Sequence, residues 1–549
     1  MSPAGGRTKW LVFAVAALVS PTAVNAQLTT EPTAVGAPDK PAPPKADPCE
    51  RKHEVSVYRP GRPVTEAGSE PNHKSIKDAI CHAGKGPQPQ VILYADPYKP
   101  FFPGFTVNKP NLTIRASDAD IGGAVAVAQS ESPKELGGAC IVINPGLAHQ
   151  ETTTTLIGFD FIADGAADRS CVVVKSGTLA LRKSNIRLRS ASIAIDVAPT
   201  ANLRFEGDDY EEHGVFAEPS ADIALRRIGV LAEESQEVAL DGVSLEGLDV
   251  AVQSRARLTR LAGARLVANG VGVEIADAAL RSAYAPNLEV AGGVFAENDN
   301  AAILLSRRSF NPAKSSPMEA GEAQAFRGLV NIAGGSGGPV RFNGNGDGIV
   351  FDNAYPRMKT GADGATQIGL NVETAQFNGN SANAVRMTLP VYGAAARVRN
   401  VEFVGNGAAI RVDGAMNGAL TVDGASKMTG KGAGVVLDLR DDGEFAASLE
   451  TVAGLAPAFD IYKGWNGKLL IAVEDPKTPA TFMKLDQSST LCQFKLDGSK
   501  QEREAFRHAF KDFHVLVARR HISRLFGADS PDDMSEGEMK DAKRALCGA

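Results

Sequence analysis

A large apolar residue followed three positions later by Asn or Asp recurs along this chain. It occurs at Phe161/Asp164, Leu266/Asn269, Phe295/Asn298, Phe342/Asn345, Phe377/Asn380 and Phe403/Asn406. Within about seven residues of most of these pairs a second apolar run follows: VGVEI, AAILL, GIVF, NAVRM and AAIRV. A strand-turn-strand unit with a period in the twenties to thirties cannot bury its apolar face alone, so it must stack on copies of itself. The intervals between the apolar members are 105, 29, 47, 35 and 26. They fit four, one, two, one and one turns of a coil with irregular loops. A sharp bend between strands needs φ > 0 or a side chain that bonds nearby backbone, and Asn supplies both; stacked Asn side chains also form ladders. The recurrent Asn and Phe are therefore read as architecture, with Phe stacked inside the coil.

Length and composition agree. A chain of 549 residues exceeds what one globular core usually supports. It holds 56 Gly, and helical 3.6-period stripes are nearly absent before residue 499. The expected fold is all-β: a right-handed parallel β-helix solenoid with a short N-terminal helical cap and a C-terminal helical hairpin. Residues 111–455 leave room for roughly a dozen coils, a rod on the order of 60 Å at one strand spacing per coil.

The ends carry different signals. Residues 1–26 have the layout of a secretory signal, with Arg7 and Lys9, the apolar run from Trp10 to Val19, and Val24-Asn25-Ala26 as the cleavage site. The alternative is an N-terminal anchor, but about ten apolar residues fall short of the about twenty that span a bilayer. The expected location is secreted or periplasmic, with no stable membrane insertion after cleavage. Residues 27–48 form a Pro/Ala-rich linker, and 49–110 a cap and first coil. In SIKDAICHA, Ser75 is the expected N-cap, with Asp78 at the third helical position and Ile76, Ala79, Ile80 and Ala83 as the apolar stripe. Residues 456–549 read as a strand region followed by a helical hairpin. Ser499 and Glu502 open its first helix, with Phe506, Phe510, Phe513, Val517 and Phe526 as stripe, and Ser530-Pro531 opens the second.

The order helix, VILYAD strand, and VNKPNLTIRAS resembles the entry to the pectin-lyase-like superfamily, which includes pectinesterases and pectate lyases. The residues that carry the likeness are Val107, Lys109, Pro110, Asn111, Leu112, Thr113 and Ile114. The resemblance covers about forty residues. It implies the β-helix and, more loosely, a groove that takes polysaccharide. The family's catalytic motifs are not matched: Gly158-Phe159-Asp160-Phe161-Ile162 echoes one pectinesterase segment only in part, and no Gln-Asp-Thr is present.

Six cysteines follow the signal: Cys49, Cys81, Cys140, Cys171, Cys492 and Cys547. In an exported chain an even count suggests disulfides, with all fifteen connectivities open to the sequence; the pairing taken as the expectation joins neighbours, 49 with 81, 140 with 171 and 492 with 547, and the alternative is buried thiols. No zinc spacing is present. Calcium has no motif, so cofactors stay open. Cleavage after residue 26 moves the formal net charge from −6 to −8, which argues against nucleic acid as partner. Oligomeric state is not readable.

The richest charge cluster is Arg182, Lys183, Arg187 and Arg189, followed by Glu206, Asp208, Asp209, Tyr210, Glu211, Glu212 and His213. If neighbouring coils stack, cations and carboxylates meet on one face. One reading gives catalysis to Arg187, Arg189, Asp208, Asp209 and His213, and binding to Arg182, Lys183 and Tyr210, on an acidic polysaccharide. The other is a solvated, salt-bridged outer face. The function expected is a non-catalytic envelope β-helix that binds or organises polysaccharide. The alternative is a lyase, epimerase, esterase or hydrolase on an acidic polysaccharide.

Overall fold

The fold was read from a computed structural model. It describes residues 53–65, 71–84, 86–95, 101–121, 123–166, 168–207, 213–218, 226–276, 287–306, 329–352 and 369–388, most of 392–449, and shorter stretches to residue 547, among them 468–473, 499–512 and 535–547. Residues 1–48, read above as a signal and a linker, lie outside the described residues, as do Cys49 and Cys492.

The unit from residue 49 onward is a parallel β-helix, and every described pairing between its strands is parallel. One coil shows the plan. Leu258–Ala262, Arg265–Val267 and Val271–Ala276 lie on three faces, and the next coil repeats them as Asn287–Ala291, Val294–Ala296 and Ala301–Ser306. In register, Leu261 meets Val290, Leu266 meets Phe295, and Val273 meets Ile303. Alternate residues of each strand point inward, so Leu261, Leu266 and Val273 are fully buried, and each coil covers the apolar edge of the one before. The third face stacks twelve described strands. The first and second faces form one sheet because Gly369–Asn378 and Tyr392–Val404 run unbroken through the corner between them.

The second face carries the repeated apolar residue. Phe161, Ile186, Val215, Leu245, Leu266, Phe295, Phe342, Phe377 and Phe403 are successive register partners. Phe161 to Leu266 is thus four turns, as the interval implies. Phe295 to Phe342 is one turn and not two, because residues 307–328 are inserted between Ala301–Ser306 and the next first-face strand, Leu329–Ala333. The last four rings stack with centroids 5.0, 4.4 and 5.3 Å apart.

The corner between the second and third faces holds the Asn ladder. Asn269, Asn298, Asn345 and Asn380 each donate from Nδ2 to Oδ1 of the next member, at 3.1, 2.7, 2.9 and 2.8 Å, ending on Asn406. The left-handed backbone falls one residue earlier, at Ala268, Glu297, Gly344, Gly379 and Gly405. The expectation that Asn itself takes φ > 0 is corrected on this point: its contribution is the side chain, which bonds across coils. Asp164 sits at the equivalent position and accepts from Ser130 N and Oγ, both at 2.8 Å, so this coil uses a carboxyl side chain for a similar rung.

The ends are closed by helix. Ile76–His82 is capped by Ser75, whose Oγ accepts from Asp78 N, and Ile76, Ala79, Ile80 and Ala83 are buried in the core of the first coils. Lys109 Nζ donates to the carbonyls of Cys81 and Ala83, tying the entry motif to the last turn of this helix. At the other end are Lys500–Asp512 and Glu536–Cys547. Ser499 Oγ accepts from Glu502 N, and Arg503 reaches Glu536 at 2.6 Å. The described start of the second helix is a capping box of Ser535 and Glu538. Ser530 and Pro531 lie outside the described residues, as do Phe513, Val517 and Phe526.

Cys140 and Cys171 form a disulfide between consecutive coils of the third face, as sequence adjacency suggests. Cys81 is disulfide-bonded to a residue outside the description. No helix among the described residues is long and apolar enough to cross a membrane.

Candidate functional site

The cluster at 182–213 spans one corner and one face. Arg182 ends a first-face strand, Gly177–Arg182, and its register partner on the next coil is Glu206. Their side chains meet at 2.7 Å. Lys183 occupies the corner in the left-handed region, φ 47°, where other coils place Gly158, Gly242, Gly263 or Gly292. Its backbone makes the turn, which is a structural role for a residue first considered for binding. Asp208, Asp209 and Tyr210 lie outside the described residues. His213 is half-buried, and its carbonyl accepts from Ser244 N at 2.9 Å.

Arg187 and Arg189 belong to the second face and its far corner. Arg187, on Asn185–Leu188, lies with Nε 3.3 Å from Oδ1 of Asp160, which is on the preceding strand, Phe159–Ala163. That carboxylate oxygen is buried, and the contact is an ion pair without hydrogen-bond alignment. Burial pushes the Asp160 carboxyl above its usual range; Arg187 pulls it down and Glu218 pushes it up. Arg189 is held by both oxygens of Glu218, at 2.8 and 3.5 Å, and this hydrogen bonding raises its already high pKa. So each cation of the sequence cluster other than Lys183 meets a carboxylate on a neighbouring coil, as stacking predicted. The partners on the second face, Asp160 and Glu218, were not in the sequence reading. They follow once register is known: the Phe161 position pairs with Ile186, which puts Asp160 beside Asn185 and diagonal to Arg187.

A longer polar row runs up the outside of the first face. Arg204 meets Glu237 at 3.4 Å, Arg260 bridges Glu237 at 3.4 Å and Glu289 at 3.1 Å, and Asn371 Nδ2 donates to Asn331 Oδ1 at 2.9 Å. These six residues occupy six successive coils; Arg260, Glu289, Asn331 and Asn371 are register partners, whereas Ala239 fills the register position between Arg204 and Arg260, and Glu237 stands two residues along the same strand. The insertions at 277–286, 307–328 and 353–368 all leave the coil at the corner between the third and first faces, next to the strands bearing Glu289, Asn331 and Asn371. Sequence reasoning missed this row because its members are about 20 to 40 residues apart and share no local motif.

Among the described residues no group of three or more His, Cys, Asp or Glu is placed to hold a metal ion. No family model matches the chain, and no curated protein or solved structure does.

Proposed function

We propose that this chain is an exported β-helix of the pectin-lyase-like kind that binds or organises polysaccharide in the cell envelope without catalysing its turnover. The supporting observation is the row Arg204, Glu237, Arg260, Glu289, Asn331, Asn371. It offers hydrogen-bonding groups at the coil spacing, about 4.8 Å, along a straight sheet face. An extended polymer laid along the coil axis meets a fresh polar group on each coil, and many weak contacts sum to retention. The charges in it are paired with one another, which suits a polar or weakly charged chain and leaves no free acid and base aimed at one bond. Export is read from the N-terminal layout, and the Cys140–Cys171 disulfide fits an oxidising compartment. The partner proposed is polysaccharide, not nucleic acid.

The test is retention on immobilised polysaccharides, comparing the wild type with the double variant Arg260→Ala/Asn371→Ala. We expect retention of the wild type on at least one polymer and a loss of about tenfold or more in the variant, with the variant still folded, because the exposed ion pairs of Arg260 contribute about 0–1 kcal/mol and the Asn371 amide hydrogen bond about 0.5–1.5 kcal/mol. Equal retention of both proteins would refute the assignment of this face.

A second reading, an enzyme acting on an acidic polysaccharide, is favoured by one feature. Asp160 is a partly buried carboxyl with a raised pKa beside Arg187, the type of group that holds a proton for a leaving oxygen. If it acts so, Asp160→Asn abolishes a turnover that the wild type shows on a uronate polymer.

A further inference from the structure

We infer that the outer surface of the first face is self-complementary, and that two copies of this chain pair through it with their coil axes antiparallel. The pairing rests on the face alone. Its consequence for a polymer, which the dimer excludes from the same row, rests on the polysaccharide reading.

The column through Arg204 reads Ala180, Arg204, Ala239, Arg260, Glu289 and Asn331 on successive coils. A two-fold axis lying in the interface, parallel to the strands and midway between Glu237–Asp241 and Leu258–Ala262, reverses the order of the coils and returns each column to itself. Arg204 then faces Glu289 of the second copy, and Glu289 faces its Arg204. Arg260 falls on the coil of Glu237, whose carboxylate Arg204 and Arg260 of its own chain already hold. All four charged side chains thus gain a neighbour of opposite sign. An axis run along this column would instead lay Arg204 on Arg204 and Glu289 on Glu289, and like charges would repel.

The next column, two residues further along each strand, has a matching shape. It reads Arg182, Glu206, Asp241, Ala262, Ala291 and Ala333. The same axis lays the three long side chains of one copy over the three alanines of the other: Asp241 on Ala262, Glu206 on Ala291, and Arg182 on Ala333. Charge in one column and volume in the other therefore select the same centre. Solvation of a lone face accounts for the charges but does not require the switch from long to small side chains at that coil boundary.

The patch is large enough for a reversible dimer. Four coils on each side of the axis run from Thr153–Ile157 to Gly369–Asn378. Eight strands at about 4.8 Å, with about five residues each at about 3.3 Å, cover on the order of 600 Å² on each copy. The total, about 1,200 Å², is the lower end of specific interfaces. A polymer and a second copy compete for Arg260 and Asn371, so self-pairing closes the row as protein concentration rises.

The experiment is sedimentation velocity of the full chain from about 1 to 100 µM, at low salt and at about 0.5 M salt. The wild type is expected to pass from monomer to dimer over this range and to shift back toward monomer in salt. Arg204→Glu and Glu289→Arg each set like charges opposite one another and are expected to weaken the dimer about tenfold or more. Mixed in equal amounts, these two variants present opposite charges at both contacts and regain the dimer. Ala291→Glu sets bulk and like charge against Glu206 while leaving Arg204 and Glu289 in place, and stays monomeric. Melting curves confirm that each variant folds. A wild type that stays monomeric throughout, single variants that dimerise as the wild type does, a mixture that stays monomeric, or a dimer that survives Ala291→Glu overturns the pairing. Polymer retention by a chain that never dimerises leaves the polysaccharide reading standing without the pairing. A dimer with these responses and no retention on any polymer upholds the pairing and brings down the polysaccharide reading alone.

Discussion

Asn345 donates from Nδ2 to Oδ1 of Asn380 at 2.9 Å, with both side chains fully buried and 35 residues apart in sequence. Asn345 also donates to the Phe295 carbonyl at 3.1 Å, and its own Oδ1 accepts both the backbone N and the Nδ2 of Asn298. One side chain thereby satisfies polar groups on two other coils, in a corner where water does not reach. Replacing it with Leu leaves donors of Asn298 and the Phe295 carbonyl buried and unpaired, at about 1–3 kcal/mol each. Asn345→Leu should therefore cost on the order of 3–5 kcal/mol in urea unfolding. A loss under about 1 kcal/mol would mean the ladder is decorative.

The ring stack beside it should behave differently. Phe342 lies 5.0 Å from Phe295 and 4.4 Å from Phe377, centroid to centroid. Phe342→Ala should cost about 3–5 kcal/mol through lost burial and the cavity left behind. Phe342→Leu should cost well under half of that, because Leu245 and Leu266 already fill the same column on earlier coils. Comparing the two unfolding midpoints separates volume from ring stacking.

The Cys140–Cys171 bridge joins residues separated by 31 positions. Closing a loop of that length removes roughly 3–4 kcal/mol of chain entropy from the unfolded state. The double variant Cys140→Ala/Cys171→Ala should lose about that much stability. Under reducing conditions the wild type should lose more stability than the variant, by about the same 3–4 kcal/mol, because both lose the Cys81 bridge and the wild type alone loses this one.

Asp160 carries a pH signature of its own. Its folded pKa is raised by burial, so the folded state holds a proton that the unfolded state has released between the two pKa values. Stability contributed by this group is therefore present below the unfolded carboxylate range and is lost as pH rises through the folded pKa. Asp160→Asn should stabilise the protein at neutral pH relative to wild type, with the difference shrinking as pH falls to about 4. A constant difference across pH would show that the effect is not ionisation.

The architecture was legible because its causes are local. An apolar residue three positions before Asn, as at Phe342/Asn345, states the corner and the stacked column within four residues. Ser75 with Asp78 states a helix start in the same way. The count between Phe295 and Phe342 misled because length alone does not separate an extra coil from an insertion at one corner. The functional surface was less legible for a physical reason. Arg204, Glu237, Arg260 and Glu289 become neighbours only through register, which depends on every intervening corner. The same holds for Asp160 and Arg187. A search for charged runs finds Arg182 to Arg189 and Glu206, and passes over Asp160 and Glu218.

The measurement closest to the central claim follows the polymer as well as the protein. The full chain is incubated with a panel of uronate-containing and neutral polysaccharides, and retention is recorded together with reducing ends, unsaturated products and released acid. A non-catalytic binder is expected to be retained on at least one polymer while that polymer's covalent structure stays unchanged. Steady release of any of these products, abolished by Asp160→Asn, would contradict it.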